Sequence, residues 1–252
     1  MIQDLHSHTY YSFCGKDKPE EIVEAAIRGG IRLFGITDHA HGVGQGRREV
    51  YKAAADGVSF RDYGRTLTRY YDHINLLKEK YADEITLLRG IEINTQGQYP
   101  HAALPEGVDI SFFDYCLIEN LDDPESITKG DLFSFAARCG CPVKGVAHTD
   151  LFRHIANRGE DPAAYFKRMA DENIFWEMNV TFDSIHKYRE HEYVLEFFRN
   201  PEQQRIVRES GVKVSVGFDG HRVEDYRPNR VIHFCRLLER LKLPQPFADE
   251  IK

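Results

Sequence analysis

The chain has no apolar run near the about 18 residues that a membrane-crossing helix needs, which argues against a helical membrane span. It also has no surplus of positive charge: 33 Lys and Arg against 40 Asp and Glu leave a net charge of −7 and a pI near 6.0. Neutralising a row of phosphates takes clustered basic side chains, so the balance argues against long nucleic acid as a partner and leaves room only for a local basic pocket. Cysteine is sparse and unpaired. The five (Cys14, Cys116, Cys139, Cys141, Cys235) are odd in number and lack CxxC spacing, which fits a reducing compartment better than a disulfide framework. Cys139-Gly140-Cys141 reads as a helix end running into the next strand. Low-complexity tracts and repeats of fixed period are missing as well. With the first apolar run starting at Ile2 there is no room for a signal peptide, and a cytoplasmic protein is expected.

What is present is ordinary globular composition, 42% hydrophobic and 29% charged. At 252 residues the chain is long for one domain, but α/β barrels of this length commonly form a single unit, so one domain over residues 1–252 is expected. Short apolar runs predict strands near 2–6, 32–36, 86–92, 113–118, 143–147, 174–179 and 212–217. Helical patterns lie between them at 19–28, 63–81, 131–138, 162–171, 188–199, 203–210 and 230–241. The first opens with Pro19 and acidic residues and stops at Gly29-Gly30. Strict β/α alternation favours a parallel sheet with right-handed crossovers, either open or closed into a barrel.

His, Asp or Glu stands at the carboxyl end of six of the seven runs. An open sheet gathers its functional residues at one switch point, whereas a barrel converges all strand ends on one mouth, so the distribution favours the barrel. His6 and His8 follow the first strand. Side chains at i and i+2 of an extended segment share a side, yet a lone His-x-His also reads as two partly buried histidines. His39 closes the second strand in Thr37-Asp38-His39; His41, at the same spacing, reads as a surface residue. Glu92 interrupts the apolar Leu88–Asn94 segment, where burying an unpaired carboxylate would cost several kcal/mol. His148 ends the fifth strand, and Asp219 and His221 finish the seventh. Glu177 and Asn179, at the end of the sixth, read as supporting polar groups. Mixed imidazole and carboxylate donors suit Zn²⁺, Mn²⁺ or Fe²⁺ better than Mg²⁺ or Ca²⁺.

In order along the chain, His6-x-His8, Thr37-Asp38-His39, Gly90-Ile91-Glu92, His148 and Asp219-x-His221 resemble the motifs of the PHP (polymerase and histidinol phosphatase) superfamily. The resemblance spans Asp4 to past His221. It implies a distorted (β/α)7 barrel with two or three divalent transition metals at the C-terminal ends of the strands, and a phosphoesterase activity. By position it implies that His6, His8, Glu92 and Asp219 hold a first metal, that Glu92 and His148 contribute to a second, and that His39 and His221 serve a third. Two departures stand out. Cys14 occupies a place where the family often has His or Asp, and is either a thiolate ligand or a packed thiol. After the fourth strand, where the family commonly has a histidine, this chain reads Tyr115-Cys116-Leu117-Ile118-Glu119-Asn120-Leu121-Asp122, leaving Glu119 or Asp122 as substitutes.

Two or three close cations can bind a phosphate monoester by its oxygens and stabilise charge on the leaving oxygen. Glu92 and Asp219 are the expected catalytic carboxylates, and Arg47, Arg48 and Arg153 the candidate phosphate-holding residues, each of which also reads as solvated loop charge. Residues 42–60, Gly-rich at the start, are expected to form a lid-like loop over the mouth. The leading expectation is a metal-dependent phosphoesterase, similar to the histidinol phosphatases of that family, that hydrolyses a small-molecule phosphate monoester by metal-activated water. A phosphodiesterase or exonuclease on nucleotides, or a non-catalytic domain with a decayed metal site, are the alternatives.

Overall fold

The computed structural model describes residues 1–40, 43, 63–96 and 108–250. Seven parallel strands pair strictly in chain order: β1 (Gln3–Asp4), β2 (Leu33–Ile36), β3 (Thr86–Asn94), β4 (Tyr115–Glu119), β5 (Lys144–Val146), β6 (Ile174–Asn179) and β7 (Val214–Gly217). The last strand then meets the first. Leu5 N donates to Val216 O at 3.0 Å, Asp219 N to His6 O at 2.8 Å and His8 N to Gly220 O at 2.8 Å, and Ser7 bridges Gly220 in parallel. The chain is thus an α/β barrel of seven strands, as expected. The ladder of β1 is two residues long; beyond it the backbone bonds to the end of β7, while Ser7 O still accepts Thr37 N at 2.9 Å on the β2 side.

Eight α-helices among the described residues carry the crossovers: α1 (Pro19–Arg28), α2 (Tyr63–Lys80), α3 (Leu132–Cys139), α4 (Leu151–Asn157), α5 (Pro162–Asp171), α6 (Glu192–Arg199), α7 (Pro201–Ser210) and α8 (Pro228–Arg240). Their starts follow local chemistry. Asp131, Asp150, Asp161 and Asn200 each accept backbone N–H groups of the first turn, a contribution of about 1 kcal/mol apiece. The sequence predicts a helix from residue 188, but α6 begins at Glu192, since Lys187 and Tyr188 adopt left-handed φ of 56° and 52°. The seven-residue α4, capped by Asp150, is an element the sequence pattern did not predict.

Alternation along the strands divides the core in two. Outward side chains such as Phe34, Ile91, Ile118, Trp176 and Val216 pack under the helices. Inward, Leu5, Leu33, Leu88, Tyr115, Leu117, Ala147 and Phe175 fill the barrel, with Met1, Val143 and Phe247 packed against them. Each such large apolar side chain contributes about 1.5–3 kcal/mol on burial. Tyr115 crosses the barrel to donate to Leu5 O at 2.7 Å; it fits only because Gly35 has no Cβ, which would lie 1.9 Å from the tyrosine oxygen. Above this layer, at the carboxyl ends of the strands, the inward side chains include Glu92, Glu119, Glu177, Asn179 and Asp219.

Candidate metal centre

Glu92 on β3, Glu119 on β4, Glu177 and Asn179 on β6, and Asp219 just past β7 all point into the upper barrel and are buried. His6, His8, His39 and His221 are buried beside them, and His148 is partly buried. Two of these strand-end residues, His148 and Asp219, take left-handed backbone with φ of 45° and 57°. Such strain costs on the order of 1–3 kcal/mol per residue and is characteristic of sites that need a side chain aimed against the run of the strand.

His6 and His8 face each other, Nε2 to Nε2, at 3.1 Å. Behind them, His6 Nδ1 lies 2.8 Å from Glu177 Oε1 and His8 Nδ1 3.2 Å from Ser12 Oγ. In front, Glu92 Oε1 is 3.1 Å from His6 Nε2, and Asp219 Oδ1 is 3.5 Å from His6 Nε2 and 3.2 Å from His8 Nε2. On the other side, Glu92 Oε2 reaches His39 Nδ1 at 2.9 Å and Glu92 Oε1 reaches His148 Nε2 at 3.4 Å. Glu119 Oε1 stands 3.2 Å from His39 Nδ1.

These contacts fit a metal better than they fit each other. Both carboxylate oxygens of Glu92, Asp219 Oδ1, Glu119 Oε1 and His148 Nε2 are buried with no hydrogen-bond partner, a costly state unless a cation occupies the space between them. Two donors sharing one ion at about 2.1 Å sit about 3.0–3.4 Å apart, the spacing seen around His6, His8, Glu92 and Asp219. A carboxylate that touches imidazoles on both sides, as Glu92 does, has the geometry to bridge two ions.

The ionisation of the cluster follows from the same contacts. Burial alone would depress His6, but Glu92, Glu177 and Asp219 outweigh it and raise its pKa well above the usual range. Burial, with His39 and His221 nearby, pushes His8 down to about 3. Burial opposes charge on Glu92 and Asp219, yet the neighbouring imidazoles hold both well below the usual carboxylate range.

Cys14 comes within one ligand's reach of His8 and His221. Desolvation opposes its ionisation, but His39 and His221 draw its thiol down to about 7. All eight metal-ligand candidates read from sequence, His6, His8, Cys14, His39, Glu92, His148, Asp219 and His221, are therefore gathered at one mouth. Arg153 is placed differently: it sits on α4 with its side chain 64% exposed, donating to Asp122 at 2.9 Å. Arg47, Arg48 and His41, and the expected lid at 42–60 apart from Val43, lie outside the described residues. The sequence pattern missed Ser12, which accepts His39 N at 2.9 Å while backing His8, and the pair Asp183 and His186 in the loop after β6.

Asp38, which the sequence places next to His39, is structural. Buried, it accepts from Thr9 N, Thr9 Oγ1 and Ser12 N at 2.7–3.0 Å and so fixes the loop that carries His8 and Ser12.

Compared with known proteins, the chain matches the PHP domain model over residues 4–221. The chain belongs to the PHP family. A curated relative described as a probable phosphatase, from Shewanella pealeana, is 25% identical over 230 residues, covering 87% of this chain and 77% of that protein. Among solved structures, the barrel is similar to histidinol phosphate phosphatase from Lactococcus lactis, determined with zinc, L-histidinol and phosphate, at a TM-score of 0.55, 13% identity, and coverage of 97% of this chain and 95% of the other. That likeness is one of fold. Among the described residues no helix is long and apolar enough to cross a membrane.

Proposed function

We propose that this PHP-family chain is a metal-dependent phosphoesterase that hydrolyses a small phosphate monoester. One observation carries the reading: His6 Nε2, His8 Nε2, Glu92 and Asp219 converge from three sides of the mouth on a common point, with buried oxygens that have no hydrogen-bond partner. The description of the Shewanella pealeana relative as a probable phosphatase supports it, and the small phosphorylated substrate class follows the ligands of the Lactococcus lactis protein. Two or three Zn²⁺, Mn²⁺ or Fe²⁺ ions held here would supply positive charge to the phosphoryl oxygens and activation of a water.

The protein's own residues do the rest. His6, His8, Glu92 and Asp219 would hold the first ion; Glu92 and His148, with Glu119 beside them, the second; Cys14, His39 and His221 the third. Glu177 fixes the ring of His6 by accepting a hydrogen bond from its Nδ1–H, which turns the Nε2 lone pair inward. Glu92 and Asp219, each shared among several imidazoles, hold negative charge where an attacking water is to be oriented. The hydrocarbon layer of Tyr115, Leu117 and Phe175 closes the barrel from below, so water and substrate enter from the strand ends alone. A decayed, empty site is disfavoured on energetic grounds, because Glu92, Glu119 and Asp219 keep buried oxygens with no hydrogen-bond partner, which is costly without a cation.

The test is elemental analysis of gently purified protein, then turnover of phosphate monoesters against diesters with the metals found. Monoester hydrolysis that a chelator abolishes is the expected result. A protein that neither carries nor takes up metal overturns the reading, and preference for a diester moves it to the phosphodiesterase class.

A further inference from the structure

We infer that His186 is an additional metal ligand, supplying its Nε2 to the ion shared by His148 and Asp219, with Asp183 as its positioning residue. The inference rests on the metal-dependent reading above and extends its ligand set to the loop after β6.

Asp183 is buried and receives the backbone N–H of His186 at 2.8 Å while its Oδ1 lies 2.8 Å from His186 Nδ1. A carboxylate only accepts, so the ring proton sits on Nδ1, where Thr181 Oγ1 also lies at 2.9 Å. The Nε2 lone pair is therefore turned the other way. It stands 3.5 Å from Asp219 Oδ2. The same Asp219 oxygen is 3.4 Å from His148 Nε2, which in turn is 3.4 Å from Glu92 Oε1. Tetrahedral ligands at about 2.1 Å from one zinc are separated by about 3.4 Å, and contacts of that length link His186 Nε2, Asp219 Oδ2, His148 Nε2 and Glu92 Oε1 in series.

The internal parallel is with His6, whose Nδ1 is backed by Glu177 while Nε2 faces Glu92 and Asp219. A carboxylate behind an imidazole fixes its tautomer and strengthens the opposite nitrogen as a donor. His186 has the same arrangement and no other use for its Nε2 in the mechanism above. An ion seated instead among Asp183, His186 and His221 is disfavoured: His186 Nδ1 is occupied by Asp183, and His221 Nδ1 donates to Asp219 O at 2.8 Å. The placement also accounts for β4, which ends in Glu119 rather than an imidazole. The loop after β6 provides the second nitrogen donor that β4 does not.

The experiment uses the full chain, stripped and reloaded with zinc alone, and reads stoichiometry by elemental analysis and affinity by chelator competition. His186→Ala should lose about one equivalent of zinc or bind it at least tenfold more weakly. Asp183→Asn, which keeps the shape of the loop, should weaken the same equivalent about 10–100-fold. A wild-type chain that takes up no zinc overturns both readings. A wild type that loads fully, with His186→Ala loading equally and as tightly, overturns this inference and leaves the phosphoesterase standing.

Discussion

Glu177 reaches His6 across an intervening strand. It starts on β6, passes over β7 and meets His6 Nδ1 at 2.8 Å, and it does so at the position of Gly217, where a Cβ would lie 2.0 Å from Glu177 Oε1 and 2.6 Å from His6 Cβ. A glycine on β7 is thus part of the histidine's support.

Gly217→Ala should therefore act on metal binding without touching a ligand. The added methyl displaces Glu177 or His6, and overpacking of this kind costs about 1–3 kcal/mol. Metal affinity by chelator competition should fall about 10–100-fold, as it does when an outer partner of a ligating histidine is lost. Glu177→Gln should give a similar loss with less effect on Tm. Unchanged affinity in both variants would mean that Glu177 does not orient His6.

Glu92→Gln removes the charge of the carboxylate that touches His6, His8, His39 and His148 and keeps its size. Metal content should drop by at least one equivalent, and turnover by at least about 100-fold, since loss of mere outer partners already costs 10–100-fold. Retention of full occupancy and rate would remove Glu92 from the bridging role.

How much of this was legible beforehand depended on whether a residue ends a strand. His6, Glu92, His148 and Asp219 each follow an apolar run, so their places at strand ends point to convergence at one mouth, although His6 and His148 directly follow the inward Leu5 and Ala147 and are not aimed there by alternation. His186 and Asp183 lie several residues past β6 in Thr181-Phe182-Asp183-Ser184-Ile185-His186, a stretch with no periodicity to say where it folds; only the Asp-x-x-His spacing hinted at a turn in which the two meet. Glu119 was readable as a candidate because it ends β4, but its partner His39 is set by the curvature of the barrel, which no local pattern encodes. The short α4 was hidden for a similar reason: seven residues hold too few turns to show a helical period.

Away from the mouth, Arg89 and Asp114 offer a pH-dependent contribution to stability. Arg89 Nε and Nη2 donate to the two oxygens of Asp114 at 3.1 and 2.6 Å, and the Arg89 N–H adds a third bond at 2.8 Å. Burial alone would raise the Asp114 carboxyl; these bonds outweigh it and hold the pKa below the usual carboxylate value. A folded-state pKa below the unfolded one means the contribution is complete above about pH 4 and is lost as pH falls through the folded pKa. In urea unfolding, Asp114→Asn should cost about 2 kcal/mol at pH 7. The gap from wild type should shrink as pH falls below about 4, through the folded pKa. A gap that stays constant over that interval would show the ion pair is not its source.

The third ion turns on Cys14. Its sulfur lies within ligand reach of His8 and His221, and the nearby His39 and His221 favour its thiolate, so a thiolate with imidazoles forms a site whose softness selects zinc over manganese or iron. Serine keeps the size of the side chain and removes most of that affinity. Cys14→Ser should consequently lower the zinc count by about one equivalent while leaving the ions built around Glu92 in place. Reloading with manganese discriminates further, because a serine oxygen penalises the harder ion less than it penalises zinc. If the zinc count is the same in both proteins, Cys14 is a packed thiol, and the centre reduces to the two ions that Glu92 joins.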